Sequence, residues 1–220
     1  MSPYLKFPLV GLLFASQVWA LEEADIVGEA RAIGSGDLLY RELHDCSEDG
    51  RFCKVFYHNP MGQVIARKQL DYSKSLQAPA LQVQDLRLGT EFRLEGAMAP
   101  DLVVDAGFDN FVRERWTDLS SGDVVRFPFV VVGRQKPLKM KAGLDEDRPC
   151  AKEQVCLAVT LDGWLLSALL DPIRLVYDSD RRLLQFRGIS NIKDENGGSQ
   201  KVEIIYTYRN QIPAAAFMSP

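Results

Sequence analysis

The sequence predicts a mainly β (α+β) protein, a curved antiparallel sheet or incomplete β-barrel covered by one or two short helices. Three observations predict it. Turn residues of the hairpin type recur between runs of strand formers, and several runs alternate with the two-residue period of a half-buried strand. Only two stretches break that period toward helical spacing.

The first residues are of a different kind. Lys6 precedes an apolar run of nine residues, 7–15, interrupted only by Pro8 and Gly11, and Val18, Trp19 and Ala20 follow. A charged start, a short apolar region and a small residue at the cut are the pattern of a secretory signal peptide, here with cleavage after Ala20. A membrane anchor is the alternative, but a spanning helix needs roughly 20 apolar residues. The residue directly after Ala20 is Leu21 and not a cysteine, so bacterial lipoprotein acylation has no acceptor there. The expectation is a periplasmic mature chain, free in solution, with no transmembrane segment.

Loss of residues 1–20 removes Lys6 and no acidic residue, so the formal charge of −4 becomes −5. A mildly acidic chain argues against nucleic acid, whose phosphates call for a basic surface. Residues 21–212 suit one antiparallel β domain, with 213–220 as a loose C-terminal tail. A hydrophobic content of 46% is that of a packed core, which excludes intrinsic disorder.

The strongest local evidence lies in residues 37–71. Asp49 and Gly50 form an Asp-Gly dipeptide between two strand-forming runs. A two-residue turn there pairs Glu48 with Arg51, Ser47 with Phe52, Cys46 with Cys53, Glu42 with Tyr57 and Arg41 with His58. Turn chemistry thus sets two sulfurs opposite one another, at a separation that a disulfide spans. Asn59, Pro60, Met61 and Gly62 have the order of a type I turn, so residues 63–71 return as a third strand of a meander.

Hairpin signals recur later. Asp178, Ser179 and Asp180 separate residues 173–177 from 182–189, and Asn196, Gly197 and Gly198 separate that run from 201–208. In the last run Val202, Ile204, Tyr206 and Tyr208 alternate with Lys201, Glu203, Ile205 and Thr207, so one face meets the core. Residues 124–132 place Phe127 and Phe129 on one face and Val130 and Val132 on the other, as in a strand covered on both sides. Pro128 within the run signals an edge or a bulge.

Two stretches read as helices. In 105–119, Phe108, Phe111, Val112, Trp116 and Leu119 fall at helical spacing, with Asp105 as the N-cap. Residues 163–170 contain Trp164 and four leucines and end before Pro172, which suits a short buried helix, with a β run as the competing reading.

The remaining cysteines, Cys150 and Cys156, form a second local pair. An even count at short spacing in an exported chain reads as disulfides, by elimination Cys150 with Cys156. Zinc thiolates are usually spaced more closely than these pairs. The acidic loop of Asp145, Glu146 and Asp147 lacks calcium-loop spacing and reads as solvated.

No nucleophile elbow, zinc-protease helix, phosphate loop or dinucleotide fingerprint occurs in the sequence, so no enzyme and no cofactor is expected. His44 and His58 fall on opposite faces of the first hairpin and read as surface histidines. Phe108, Phe111, Trp116 and Trp164 can line a cavity for an acyl chain or another apolar ligand, or simply fill the core beneath a curved sheet.

The segments 105–112 (Asp-Ala-Gly-Phe-Asp-Asn-Phe-Val) and 188–191 (Gly-Ile-Ser-Asn) look like recurring landmarks of bacterial envelope proteins. With the signal peptide, the meander and the intervening helix, the order of elements resembles the periplasmic lipoprotein carriers of the LolA/LolB type. That resemblance implies a curved, incomplete barrel wrapped over internal helices that shields acyl chains. The four cysteines and the acidic loop depart from it, and no binding residue is carried over. The resemblance implies shape and not ligand; the apolar helices against a curved sheet are what point to a periplasmic binding or carrier protein for an apolar or amphiphilic ligand or a lipoprotein. The alternatives are a structural or interaction module of the envelope with a filled core and a protein partner, and a hydrolase with an unrecognised site.

Overall fold

A computed structural model describes residues 24–96, 101–134, 136–163 and 171–209. The expected signal peptide, Trp164 with residues 164–170 of its expected helix, and the expected tail from 213 lie outside the described residues. The described residues form thirteen strands in one sheet. The first arm is the meander β1 (Ile26–Ala32), β2 (Leu38–Cys46), β3 (Phe52–His58), β4 (Val64–Asp71), β5 (Ala80–Asp85) and β6 (Thr90–Leu94). A short β7 (Val103–Val104) leads into helices α1 (Gly107–Glu114) and α2 (Trp116–Ser121). The second arm is β8 (Val125–Val130), β9 (Leu138–Leu144), β10 (Val155–Leu161), β11 (Ile173–Tyr177), β12 (Leu183–Ile189) and β13 (Lys201–Tyr208).

The first and last strands zip the arms together, Ile26 opposite Tyr208 through Ala32 opposite Val202. The spatial order is therefore β6-β5-β4-β3-β2-β1-β13-β12-β11-β10-β9-β8-β7. All pairings are antiparallel except β7 with β8, which the two helices bridge as a crossover. The sheet is not closed. Its two ends meet through side chains instead of a ladder, in a buried cluster that joins Leu70, Leu81 and Val83 of the first arm to Val104 and Val130 of the second.

Register and alternation give the sheet one apolar face. Tyr40, Val55, Ala66, Leu157, Leu175, Val202 and Ile204 are buried there. The opposite face carries Glu29, Arg41, Lys54, Arg67, Lys139, Arg187 and Glu203. A charged exterior is the inverse of a transmembrane barrel, whose outside is apolar. Among the described residues no helix is long and apolar enough to cross a membrane.

The first hairpin keeps the expected register from Arg41 opposite His58 to Cys46 opposite Cys53. Its turn differs. The Gly50 amide donates to the Ser47 carbonyl at 2.8 Å and the ladder closes with Ser47 on Phe52, so the loop has four residues, 48–51, and not two. Asp49 takes the amide of Arg51, and Gly50 sits at φ 67°. Both loops centre between residues 49 and 50, which is why the register survives the change. The type I turn at Asn59 forms as expected, with the Gly62 amide on the Asn59 carbonyl at 2.9 Å.

Cys46–Cys53 and Cys150–Cys156 are both bonded, and both pairs point to an oxidising compartment. β8 is covered on both sides, Phe127 facing α1 and Val130 facing the β4–β5 cluster. Pro128 lies one residue before the pairing with β7 begins at Phe129, where the strand is still an edge among the described residues.

The expected helix 105–119 is two helices, because Arg115 leaves helical geometry at φ −92° and ψ 18°. Asp105 is not its N-cap. It sits at φ 42°, and Ala106 occupies the cap with no side-chain hydrogen bond. The acidic loop also differs from expectation, since Asp145 is buried by a two-oxygen contact with Arg174.

Candidate functional site

α1 enters the bowl of the sheet next to the backbone of residue 77. A Cβ on Gly107 would stand 2.1 Å from the Gln77 carbonyl oxygen, so only glycine permits this approach. From there Phe111 packs against Phe127 at 4.5 Å between ring centroids, and Phe108 lies 5.4 Å from the same ring. Between α1 and the sheet a cavity of about 250 Å³ remains. Its apolar wall includes Val55, Leu70, Val159, Ile173, Leu175 and Phe186, and the Cys46–Cys53 bridge forms part of it.

Of the four side chains expected to line a pocket, Phe108 lies on the wall. Phe111 is buried in the core cluster behind it, and Trp116 packs edge-on against Tyr177 at 5.9 Å, beneath the Arg181 guanidinium. These two support the wall from behind, as core residues do. Trp164 lies outside the described residues.

Sequence reasoning missed the polar part of the wall. Lys68 faces inward on β4, opposite Val55, and its ammonium donates to Asp105 Oδ2 at 2.7 Å. The two side chains are only 8% and 1% exposed. Asn191 donates to the other oxygen of Asp105, and the ammonium stands 5.9 Å from the centre of the Tyr57 ring. Burial works against the charged lysine, but Asp105 beside it more than offsets this and holds Lys68 well above the ordinary lysine value. The neighbouring Ser190 shares a 2.6 Å hydrogen bond with the Tyr40 hydroxyl and accepts the Ile192 amide at 2.9 Å. The two landmark segments of the sequence therefore meet in space, through Asp105 and Asn191.

A second polar group lies across β2, β1 and β13. Glu42, Gly28 and Tyr206 are in register on three adjacent strands. Because Gly28 has no side chain, the Tyr206 ring lies across it and its hydroxyl donates to Glu42 Oε2 at 3.2 Å. His44 Nε2 is 3.2 Å from the same oxygen. Burial, reinforced by the Glu42 charge, pushes the Tyr40 and Tyr206 phenols well above their ordinary values, so both stay neutral. His44 is thus a wall residue and not a surface histidine, whereas His58, on the other face, is half-buried and held below the ordinary imidazole value by burial.

Two inward signals were present in the sequence. Lys68 falls on the apolar parity of β4, with Ala66 and Leu70, and Tyr206 falls on that of Val202 and Ile204. A charged residue at an inward position needs a buried partner, but parity cannot say which. No family model matches the chain, and no curated protein matches it. The chemistry of the site is therefore read from its geometry.

Proposed function

We propose that the chain is a periplasmic binding or carrier protein whose ligand is amphiphilic, with an acyl-chain-like part held against the apolar wall and a polar end near the tyrosine-rich polar wall. The observation that carries this reading is the cavity between the curved sheet and α1, mostly apolar with a few converging polar groups. The signal-like start of the sequence and the two disulfides support export to the periplasm. On this reading the resemblance to lipoprotein carriers is one of design, a curved sheet sheltering a chain, and no residue role is borrowed from them. The carrier performs no reaction. Its work is to exchange water for a protein wall around an apolar group, about 0.8 kcal/mol for each methylene buried.

Titration of the mature protein with N-phenyl-1-naphthylamine, an apolar dye that brightens in a dry site, tests the reading. Saturable binding at one site, with displacement by decanol, is expected. Neither dye nor decanol binding in folded, oxidised protein would remove the carrier reading and leave an envelope interaction module.

A further inference from the structure

The cavity wall carries six formal charges apart from His44: Glu42, Asp105 and Asp109 against Lys68, Arg113 and Arg182. Their pairing is uneven. Lys68 takes Asp105 at 2.7 Å, and Arg113 takes Asp109 at 2.5 Å. Arg182 is drawn off the wall to Asp178 and Asp180, both at 2.9 Å. Every cation of the wall is thereby matched to a carboxylate. Glu42 has no lysine or arginine at ion-pair distance among the described residues. A phenol and an imidazole hold it, each at 3.2 Å.

We propose that the cavity selects amphiphiles with an amine head group, held at Glu42, over those with a carboxylate or phosphate head. This inference rests on the carrier reading and names the chemistry of its ligand. A protonated amine supplies the charge that Glu42 lacks, through a charge-assisted hydrogen bond. An anionic head would have to lose its hydration beside a carboxylate, with each wall cation already engaged. The ring of Tyr206, which crosses Gly28 to reach the carboxylate, also offers a face on which an ammonium is favourable.

The test is a head-group series on the oxidised mature protein: decylamine, decanol and decanoate, each displacing N-phenyl-1-naphthylamine at pH 8. At that pH the amine is charged and the acid is ionised. Decylamine is expected to bind about tenfold or more tighter than decanol, and decanoate more weakly than decanol. In Glu42→Gln, which keeps the shape of the side chain, the ratio of amine to alcohol affinity should fall toward one. Decanoate equal to or tighter than decylamine, or a ratio that Glu42→Gln leaves unchanged, overturns the inference while the carrier reading stands. Binding of none of the three overturns both. The wild-type series alone can overturn the inference, so the test does not depend on the variant folding.

Discussion

Replacing Lys68 by methionine isolates the buried ion pair from the packing around it, because the apolar stem is kept and the ammonium is removed. Asp105 would then be left 1% exposed, with Asn191 as its remaining side-chain partner. Stranding one member of a buried pair costs about 3–5 kcal/mol, against a total stability of about 5–15 kcal/mol for a domain. Asp105→Asn strands the lysine instead and should cost a similar amount, since asparagine also tolerates the left-handed backbone at φ 42°. The double variant should lose less than the sum of the two by about 0.5–3 kcal/mol, because neither charge is then left alone. Urea unfolding followed by tryptophan emission measures all three. A second signature is pH. The folded value of Lys68 is raised, so its stabilisation is fully present below the ordinary lysine value of about 10.4 and is lost only as pH rises through the higher folded value. The deficit of Lys68→Met should therefore be constant from pH 6 to 9. Single variants that each lose less than about 1 kcal/mol would refute the claim that the pair is buried and mutually dependent.

Six of the seven tyrosines, Tyr40, Tyr57, Tyr72, Tyr177, Tyr206 and Tyr208, are raised above their ordinary value, chiefly by burial. Stability from a raised phenol is present below about pH 10 and lost above it, so phenolate absorbance should appear with unfolding and not before it. Gly107→Ala should destabilise by about 1–3 kcal/mol in the same urea assay, because its Cβ meets a backbone carbonyl and not a yielding side chain. Removing the Cys46–Cys53 bridge with serines should cost about 2 kcal/mol without abolishing the fold, and non-reduced peptide mapping should find Cys46 with Cys53 and Cys150 with Cys156. His58 is held below the ordinary imidazole value by burial, so its contribution is present above about pH 6.5 and lost as pH falls through the lower folded value. The urea midpoint of wild type should drop across that window more than that of His58→Leu.

Local chemistry made the sheet legible. Asp49 and Gly50 centre a loop, the loop centre fixes which residues face each other, and the sulfurs of Cys46 and Cys53 confirm the same register. The error in that hairpin, a loop of four residues for a loop of two, has a local cause as well. Ser47 Oγ accepts the Phe52 amide and donates to Asp49, which widens the turn without moving its centre. Period-two alternation likewise placed the inner residues of β13, and the helical spacing of Phe108, Phe111 and Val112 placed the apolar face of α1. It did not place the break at Arg115, where the next turn begins a second helix.

The site was less legible because its contacts span long stretches of chain. Lys68 and Asp105 are 37 residues apart, Asn191 and Asp105 are 86 apart, and Tyr40 and Ser190 are 150 apart. No periodicity carries information across such distances, and neither 105–112 nor 188–191 looks polar enough alone to form a wall. What the sequence does contain is a set of local oddities, each small: a lysine on the inward parity of β4, a glycine opposite a tyrosine, and an aspartate before a glycine that opens a helix. The fold brings them to one cavity. There the lysine satisfies the aspartate, the glycine makes room for the tyrosine, and the tyrosine reaches a glutamate that no lysine or arginine meets at ion-pair distance among the described residues. The selectivity proposed for the site follows from that leftover charge. It depends on pairings that only the curvature of the open sheet brings within reach, which is why alternation along single strands could identify the wall and not its chemistry.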